Sequence, residues 1–171
     1  VMIDQAKKAG ADYVKFQKRN NKILLSEEQY NSKHPVEHNS FGKTYGEHRE
    51  HLEFNTTTHK QIIKYCQKKK IKYSCSAWDV DSAKQLSKIC KEYIKVPSAT
   101  NLDFQMLDFL CKKYSGDIHI STGMTSENEI EKIFNFIKKR KRIKNLVLYS
   151  CVSAYPADIQ DVCLLDVKKL N

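Results

Sequence analysis

Two lysines stand inside runs that otherwise read as β-strands: Lys15 in Tyr13-Val14-Lys15-Phe16-Gln17 and Lys95 in Tyr93-Ile94-Lys95-Val96-Pro97. Strands of a parallel sheet are covered on both faces and read as nearly unbroken apolar runs, so an interior charge calls for a reason. Each lysine falls in the C-terminal part of its strand, toward the face where β/α enzymes gather their chemistry. Lys72 opens its strand and carries no such signal. The competing reading sends Lys15 and Lys95 outward between helices, stems packed and ammonium groups in water.

Hydroxyls accumulate at the same strand ends: Ser74 and Ser76, then Ser98, then Ser121 and Thr122 before Gly123, then Ser150 and Ser153. Taken singly, each serine is explained by capping at a strand or helix boundary. Their recurrence on consecutive strands beside two ammonium groups describes a site for a small polyanion. Lysine supplies point charges there, and hydroxyls with loop amides supply directional donors. Phosphate plus carboxylate fits that inventory.

Five strands are predicted: Tyr13 to Gln17, Ile71 to Ser76, Tyr93 to Pro97, Asp117 to Ser121 and Leu146 to Val152. From Ile71 onward they alternate with amphipathic stretches, the pattern of a parallel sheet built from βα units. Thr56 to Thr58 can cap a helix through Lys70, Asp79 or Asp81 can open the next, and Asn101 can cap Leu102 to Lys113. Ser126 and Glu129 have capping-box spacing, followed by the apolar stripe Ile130, Ile133, Phe134 and Ile137. The basic run Lys138 to Arg142 closes that helix, opposing the negative end of its dipole.

Residues 18 to 54 break the rhythm as a long polar connection, far beyond the usual βα loop of about 2 to 6 residues. An excursion that covers substrate or contacts a subunit is expected there, in preference to disorder. Residues 1 to 9 read as the tail of a helix ending at Gly10, with no strand before it, and Ile159 to Leu170 reads as a further helix with no strand after it. With 171 residues against roughly 250 for a complete (β/α)8 barrel, one domain spanning 1–171 is expected, truncated at both ends with about five βα units. Such a piece would leave two strand edges unpaired.

No apolar run approaches the ~20 residues of a membrane span, and the first residues lack a leader pattern, so a soluble, cytoplasmic protein without a membrane partner is expected. The six cysteines form no CxxC pair and mostly sit in apolar patterns, which argues against zinc and a disulfide framework. The net charge of +10 is scattered lysine without interleaved aromatics, a solvated basic surface and not a nucleic-acid patch. A basic nucleic-acid-binding module remains the reading from another class, and steeply salt-dependent binding would identify it.

Six blocks in order then carry a resemblance. They are Gly10 through Gln17 (GADYVKFQ), Tyr45-Gly46-Glu47-His48-Arg49, Ser76-Ala77-Trp78-Asp79, Lys95-Val96-Pro97-Ser98-Ala99, Ser121-Thr122-Gly123-Met124 and Cys151 through Pro156 (CVSAYP). In motif order and spacing, across nearly the whole chain, the sequence resembles the N-acylneuraminate (sialic acid) synthase family. That resemblance implies a (β/α)8 (TIM) barrel and the condensation of phosphoenolpyruvate with an N-acylated amino sugar such as N-acetylmannosamine. The products would be a nonulosonic acid and phosphate. C3 of phosphoenolpyruvate would attack the open-chain aldehyde, and water would add at C2 before phosphate leaves.

The resemblance assigns Lys15 and Lys95 to phosphoenolpyruvate with Ser76, Ser98, Ser121 and Ser153, and turns Gln17 and Tyr155 toward the sugar. It implies a divalent metal, manganese or magnesium, a homodimer in the complete protein, and in some relatives a C-terminal antifreeze-like domain. The family's early catalytic glutamate, its two metal-binding histidines and an aspartate have no counterpart here, so the metal ligands are expected outside this segment. None of His34, His38, His48, His51, His59 and His119 is assigned to metal. The chain also has Ser76-Ala77-Trp78 where many members have Thr-Pro-Phe, Ser153 where they have asparagine, and Thr100 where some have glutamate. The alternative enzyme is a Schiff-base aldolase of the same fold, with Lys15 or Lys95 as a desolvated nucleophile.

Overall fold

A computed structural model describes residues 1–170. In chain order the elements are α1 (Met2–Lys8), β1 (Tyr13–Lys18), α2 (Asn21–Leu24), α3 (Glu27–Asn31), α4 (Tyr45–Leu52), α5 (Thr56–Lys68), β2 (Lys72–Ala77), α6 (Val80–Leu86), β3 (Tyr93–Val96), α7 (Phe104–Lys113), β4 (Asp117–Ser121), α8 (Glu127–Lys139), β5 (Leu146–Tyr149) and α9 (Asp166–Lys169), with short 3-10 turns between some of them. The strands form one parallel sheet in the order β1-β2-β3-β4-β5, each joined to its neighbour through a helical crossover. Sequential order with every strand parallel is what consecutive βα units of a (β/α)8 barrel produce.

Register sorts the side chains onto two faces. Gln17, Ser76, Lys95, His119 and Val147 are aligned across the sheet, and so are Phe16, Cys75, Ile94, Ile118 and Leu146 one residue earlier. Since successive strand residues point to opposite faces, the second row looks into the helices and the first away from them. The helix-facing row joins the main core, where Cys75, Ile94, Val96, Ile118 and Ile120 are fully buried together with Leu86, Met106, Leu107, Leu110, Ile133 and Ile137 of α6, α7 and α8. Burying each large side chain of that set contributes about 1.5 to 3 kcal/mol. The strands are therefore not uniformly apolar: one face is core and the other polar.

Local chemistry fixes the helix ends, in part with other residues than the sequence suggests. Asn55, not a threonine of 56–58, caps α5 by accepting from the Thr58 amide, and Lys70 lies beyond the helix at φ 54. Asp103, not Asn101, caps α7 through the Gln105 and Met106 amides. Asp79 caps α6 as expected, and its second oxygen accepts from the amide of Asn20, tying the β2 exit to the β1 exit. The Glu129 carboxylate reaches back to the amide and hydroxyl of Ser126 at the start of α8. At the other end of α8, Arg140 pairs with Asp108 of α7 and lies over the Phe136 ring, while Arg142 donates to the carbonyls of Tyr114 and Gly116. Those arginines of the basic run lock α8 to α7 and β4.

The connection from β1 to α5 is built of α2, α3, a 3-10 turn and α4. Ser26 opens α3 with a reciprocal capping box to Gln29, and the buried Gly46 of α4 leaves room for the Tyr30 ring. Lys18 donates to the Phe54 carbonyl and Arg19 pairs with Glu53, closing the excursion at its base. The last segment departs from expectation: 159–170 is a 3-10 turn and the four-residue α9, not a continuous helix. Polar Gln160, Asp161 and Asp166 interrupt its apolar residues, most of which lie exposed. Likewise β5 ends at Tyr149, three residues short of Val152. No helix of the described residues is long and apolar enough to cross a membrane.

Candidate active site

The polar face carries Lys15 and Gln17 from β1, Ser74 and Ser76 from β2, Tyr93 and Lys95 from β3, Asp117, His119 and Ser121 from β4, and Tyr149 from β5, all related by the strand register. Lys15 and Gln17 are exposed, Lys95 and His119 half-buried, Ser76 and Ser121 buried. Neither lysine runs outward among the helices. The Lys95 ammonium is pushed below the ordinary lysine range, first by burial and then by the nearby charge of Lys15, with Cys151 opposing. Two cations within each other's field on one partly desolvated face favour an anion that neutralises both.

The β4 exit supplies hydrogen-bonding groups. Ser121 Oγ is buried on the polar face and has no hydrogen-bond partner among the described residues. Its backbone is held from below, because the Asn101 side-chain amide donates to the Ser121 carbonyl at 2.9 Å and to Thr125 Oγ1 at 2.6 Å. Thr122 bonds through its amide and hydroxyl to the Tyr149 carbonyl, carrying the β4–β5 pairing past the strand end. Met124 takes φ 62, a left-handed conformation that costs a side-chain-bearing residue about 1 kcal/mol or more. At Gly123 any side chain would collide with Ser153 Oγ and press on Cys151, so glycine permits the β5 exit to lie against this turn.

Of the residues singled out from sequence, Lys15, Gln17, Ser76, Lys95 and Ser121 share the polar face. Ser98 begins the 3-10 turn directly after β3 and is half-buried, and Ser153 is exposed beside Gly123. Tyr155 stands fully in solvent and is not gathered with them. Sequence reasoning missed Tyr93, His119, Tyr149 and Asn101. The alternation in Asp117-Ile118-His119-Ile120-Ser121 already places His119 on the side of Ser121.

The described residues contain no group of three or more His, Cys, Asp or Glu side chains placed to hold a metal. His119, the imidazole on the polar face, commits Nδ1 to the Tyr149 hydroxyl at 2.8 Å. These residues do not fit a divalent metal, and their chemistry is charge neutralisation and orientation. Cys66, Cys75, Cys90 and Cys111 are buried in the core, whereas Cys151 and Cys163 are exposed. A cavity of about 590 Å³ opens on the helix side of β5, with Ile130, Phe134 and Leu148 in its wall. It lies behind the lysine-bearing face and is not the candidate site.

The pattern of the NeuB family matches residues 2–171. The chain belongs to that family. It is 34% identical over 169 residues to the human N-acetylneuraminate-9-phosphate synthase, covering 95% of this chain and 44% of that protein. It is 26% identical over 171 residues to the N,N'-diacetyllegionaminic acid synthase of Campylobacter jejuni, covering 99% of this chain and 51% of that one. The crystal structure of a sialic acid synthetase from Leptospira borgpetersenii, in complex with citrate, superposes with TM-score 0.80 at 26% identity, over 99% of this chain and 53% of that one. A DAHP synthase from Thermotoga maritima shares the fold at TM-score 0.60 and 9% identity, over 99% of this chain and 42% of that one. The chain thus spans about half the length of these relatives. Its five βα units are of the TIM-barrel type, in a family of sialic and related nonulosonic acid synthases.

Proposed function

We propose that this chain forms the phosphoenolpyruvate-binding part of a synthase that condenses phosphoenolpyruvate with an N-acylated amino sugar to give a nonulosonic acid and phosphate. The single observation that carries the reading is that Lys15 and Lys95 stand on one polar, partly desolvated face together with the Ser121 hydroxyl, which has no partner among the described residues. Family membership supports it independently.

In this reading the ammonium groups of Lys15 and Lys95 neutralise the phosphate and carboxylate. Ser76, Ser98, Ser121 and Ser153 supply hydroxyl donors that set the orientation of the enol phosphate. Fixing the ligand presents C3 to the sugar aldehyde at little further entropic cost, and the same donors remain in place as charge moves onto the departing phosphate. Gln17 is assigned to the sugar from its place on this face, and Tyr155 by the family resemblance alone. A divalent metal, manganese or magnesium, would take its ligands from outside the described residues, and the complete protein would act as a cytoplasmic homodimer.

The test is direct. Full-length protein given phosphoenolpyruvate, N-acetylmannosamine or its 6-phosphate, and manganese should release phosphate in step with a nonulosonic acid. Turnover of neither sugar, nor of the diacetylated sugar precursors of legionaminic acid, would sink the proposal.

The lowered Lys95 titration favours one second reading, a Schiff-base aldolase in which the Lys95 amine adds to a carbonyl and loses water to form an imine. Borohydride would trap that adduct on Lys95. The condensation proposed above leaves no lysine modified.

A further inference from the structure

An aromatic ladder crosses the polar face, and the proposed chemistry leaves it without a role. The rings of Tyr13 and Tyr93 lie 5.3 Å apart, Tyr93 stacks on His119 at 3.9 Å and 12°, and His119 lies 5.6 Å from Tyr149. Its last rung is polar, the hydroxyl of Tyr149 meeting His119 Nδ1 at 2.8 Å. Lys95, the register partner of His119, holds Nζ 6.0 Å from the centre of the Tyr149 ring.

Burial lowers His119 below the ordinary histidine range, with Asp117 opposing and Lys15 adding to the effect. With the imidazole neutral and its proton on Nε2, Nδ1 accepts from the Tyr149 hydroxyl, and the ring is held at its polar end. Tyr149 is 37% exposed, so packing alone does not fix it. The hydrogen bond and the stack of His119 on Tyr93 supply the missing restraint.

We propose that Tyr149 and His119 are positioning residues for Lys95: the hydroxyl–imidazole bond fixes the Tyr149 ring, and the ring face holds the Lys95 ammonium in place before an anion arrives. The inference rests on the assignment of Lys95 to phosphoenolpyruvate. A lysine free to sample its rotamers loses that freedom when a ligand captures it, and a side chain restrained beforehand loses less. At about 6 Å the attraction of an ammonium for a ring is at its outer limit, strong enough to bias the lysine and weak enough to yield to a phosphate.

The test measures phosphoenolpyruvate Kd by calorimetry and sugar KM by steady-state kinetics, both on the full-length protein. Tyr149→Phe keeps the ring and removes the hydroxyl, His119→Leu removes the acceptor, and His119→Gln keeps an acceptor in its amide oxygen. Tyr149→Phe and His119→Leu should weaken phosphoenolpyruvate binding about three- to tenfold, the usual worth of one hydrogen bond. Sugar KM should move less than about twofold, and His119→Gln should recover most of the loss. In a Lys95→Met background the same changes should add nothing, because no ammonium remains to be aimed.

An equal loss with and without Lys95 overturns the positioning role, as does wild-type affinity in Tyr149→Phe when Lys95→Met is impaired. Both outcomes leave the assignment of Lys95 standing. An unimpaired Lys95→Met overturns that assignment and the positioning role with it. If His119→Leu does not fold, Tyr149→Phe, which removes one hydroxyl from a partly exposed residue, decides the matter alone.

Discussion

Asn101 reaches from the β3 exit to the β4 exit and donates to the backbone carbonyl of Ser121 at 2.9 Å, both residues being buried. The bond places the orphaned Ser121 hydroxyl without touching it. Asn101→Ala is expected to leave the Ser121 carbonyl unpaired and to lower unfolding free energy by about 1 to 3 kcal/mol. The denaturant midpoint should fall at unchanged slope. Phosphoenolpyruvate affinity should fall with it, and a variant equally stable and equally tight would remove Asn101 from this role.

Lys95→Met keeps most of the stem volume and removes the charge. Loss of a partly desolvated, charge-assisted contact should weaken phosphoenolpyruvate binding by about 1.5 to 3 kcal/mol, roughly ten- to a hundredfold. The sugar constant should change much less. Unchanged phosphoenolpyruvate affinity together with unchanged turnover would place Lys95 outside the site.

His59 is fully buried in α5 with Nδ1 2.7 Å from the Tyr73 hydroxyl, and burial aided by Lys18 lowers it from 6.5 to about 4. On acidification the unfolded chain takes up this proton near 6.5 and the folded chain only near 4. The stability that His59 contributes is therefore whole above about pH 6.5, declines as pH falls to about 4, and changes no further below it. The decline amounts to about 3 kcal/mol. Denaturation midpoints measured across that window should show the slope, and His59→Gln should flatten it.

Cys151 is exposed and close enough to Lys95 to influence its titration, while Cys163 is exposed on the last segment. Both should alkylate in the native protein, and the four core cysteines only on unfolding. Saturating phosphoenolpyruvate should slow alkylation at Cys151 and leave Cys163 unchanged, as peptide mass spectrometry would show. Equal protection at both sites would point to a global effect and not to occupancy of the lysine-bearing face.

Much of this was legible in the chain because charge inside a strand is costly and therefore informative. Lys15 and Lys95 stand out against Val14, Phe16, Ile94 and Val96, and the structure puts both on the face away from the helices. The βα rhythm and most boundaries follow from capping residues whose effect is local. What the sequence hid depends on distant partners. Asn101 looks like a helix cap, yet its amide is spent on Ser121 and Thr125, twenty residues or more away. His119 and Tyr149 are unremarkable singly and gain meaning only when β4 and β5 pair. The excursion from 18 to 54 offered no periodicity because it is assembled from helices of four to eight residues, too short to show a repeat.

The two-faced register has a consequence for how the chain finds its fold. Sliding β1 or β3 by one residue exchanges its faces, which would drive Lys15 or Lys95 into the core layer and turn Phe16 or Ile94 away from it. Sinking an unpaired ammonium among those side chains costs several kcal/mol, so misaligned pairings are rejected during assembly. The charges proposed to hold a phosphate thus also proofread strand alignment, and replacing both lysines with leucine would be expected to yield a chain that collapses readily but pairs its strands with less fidelity.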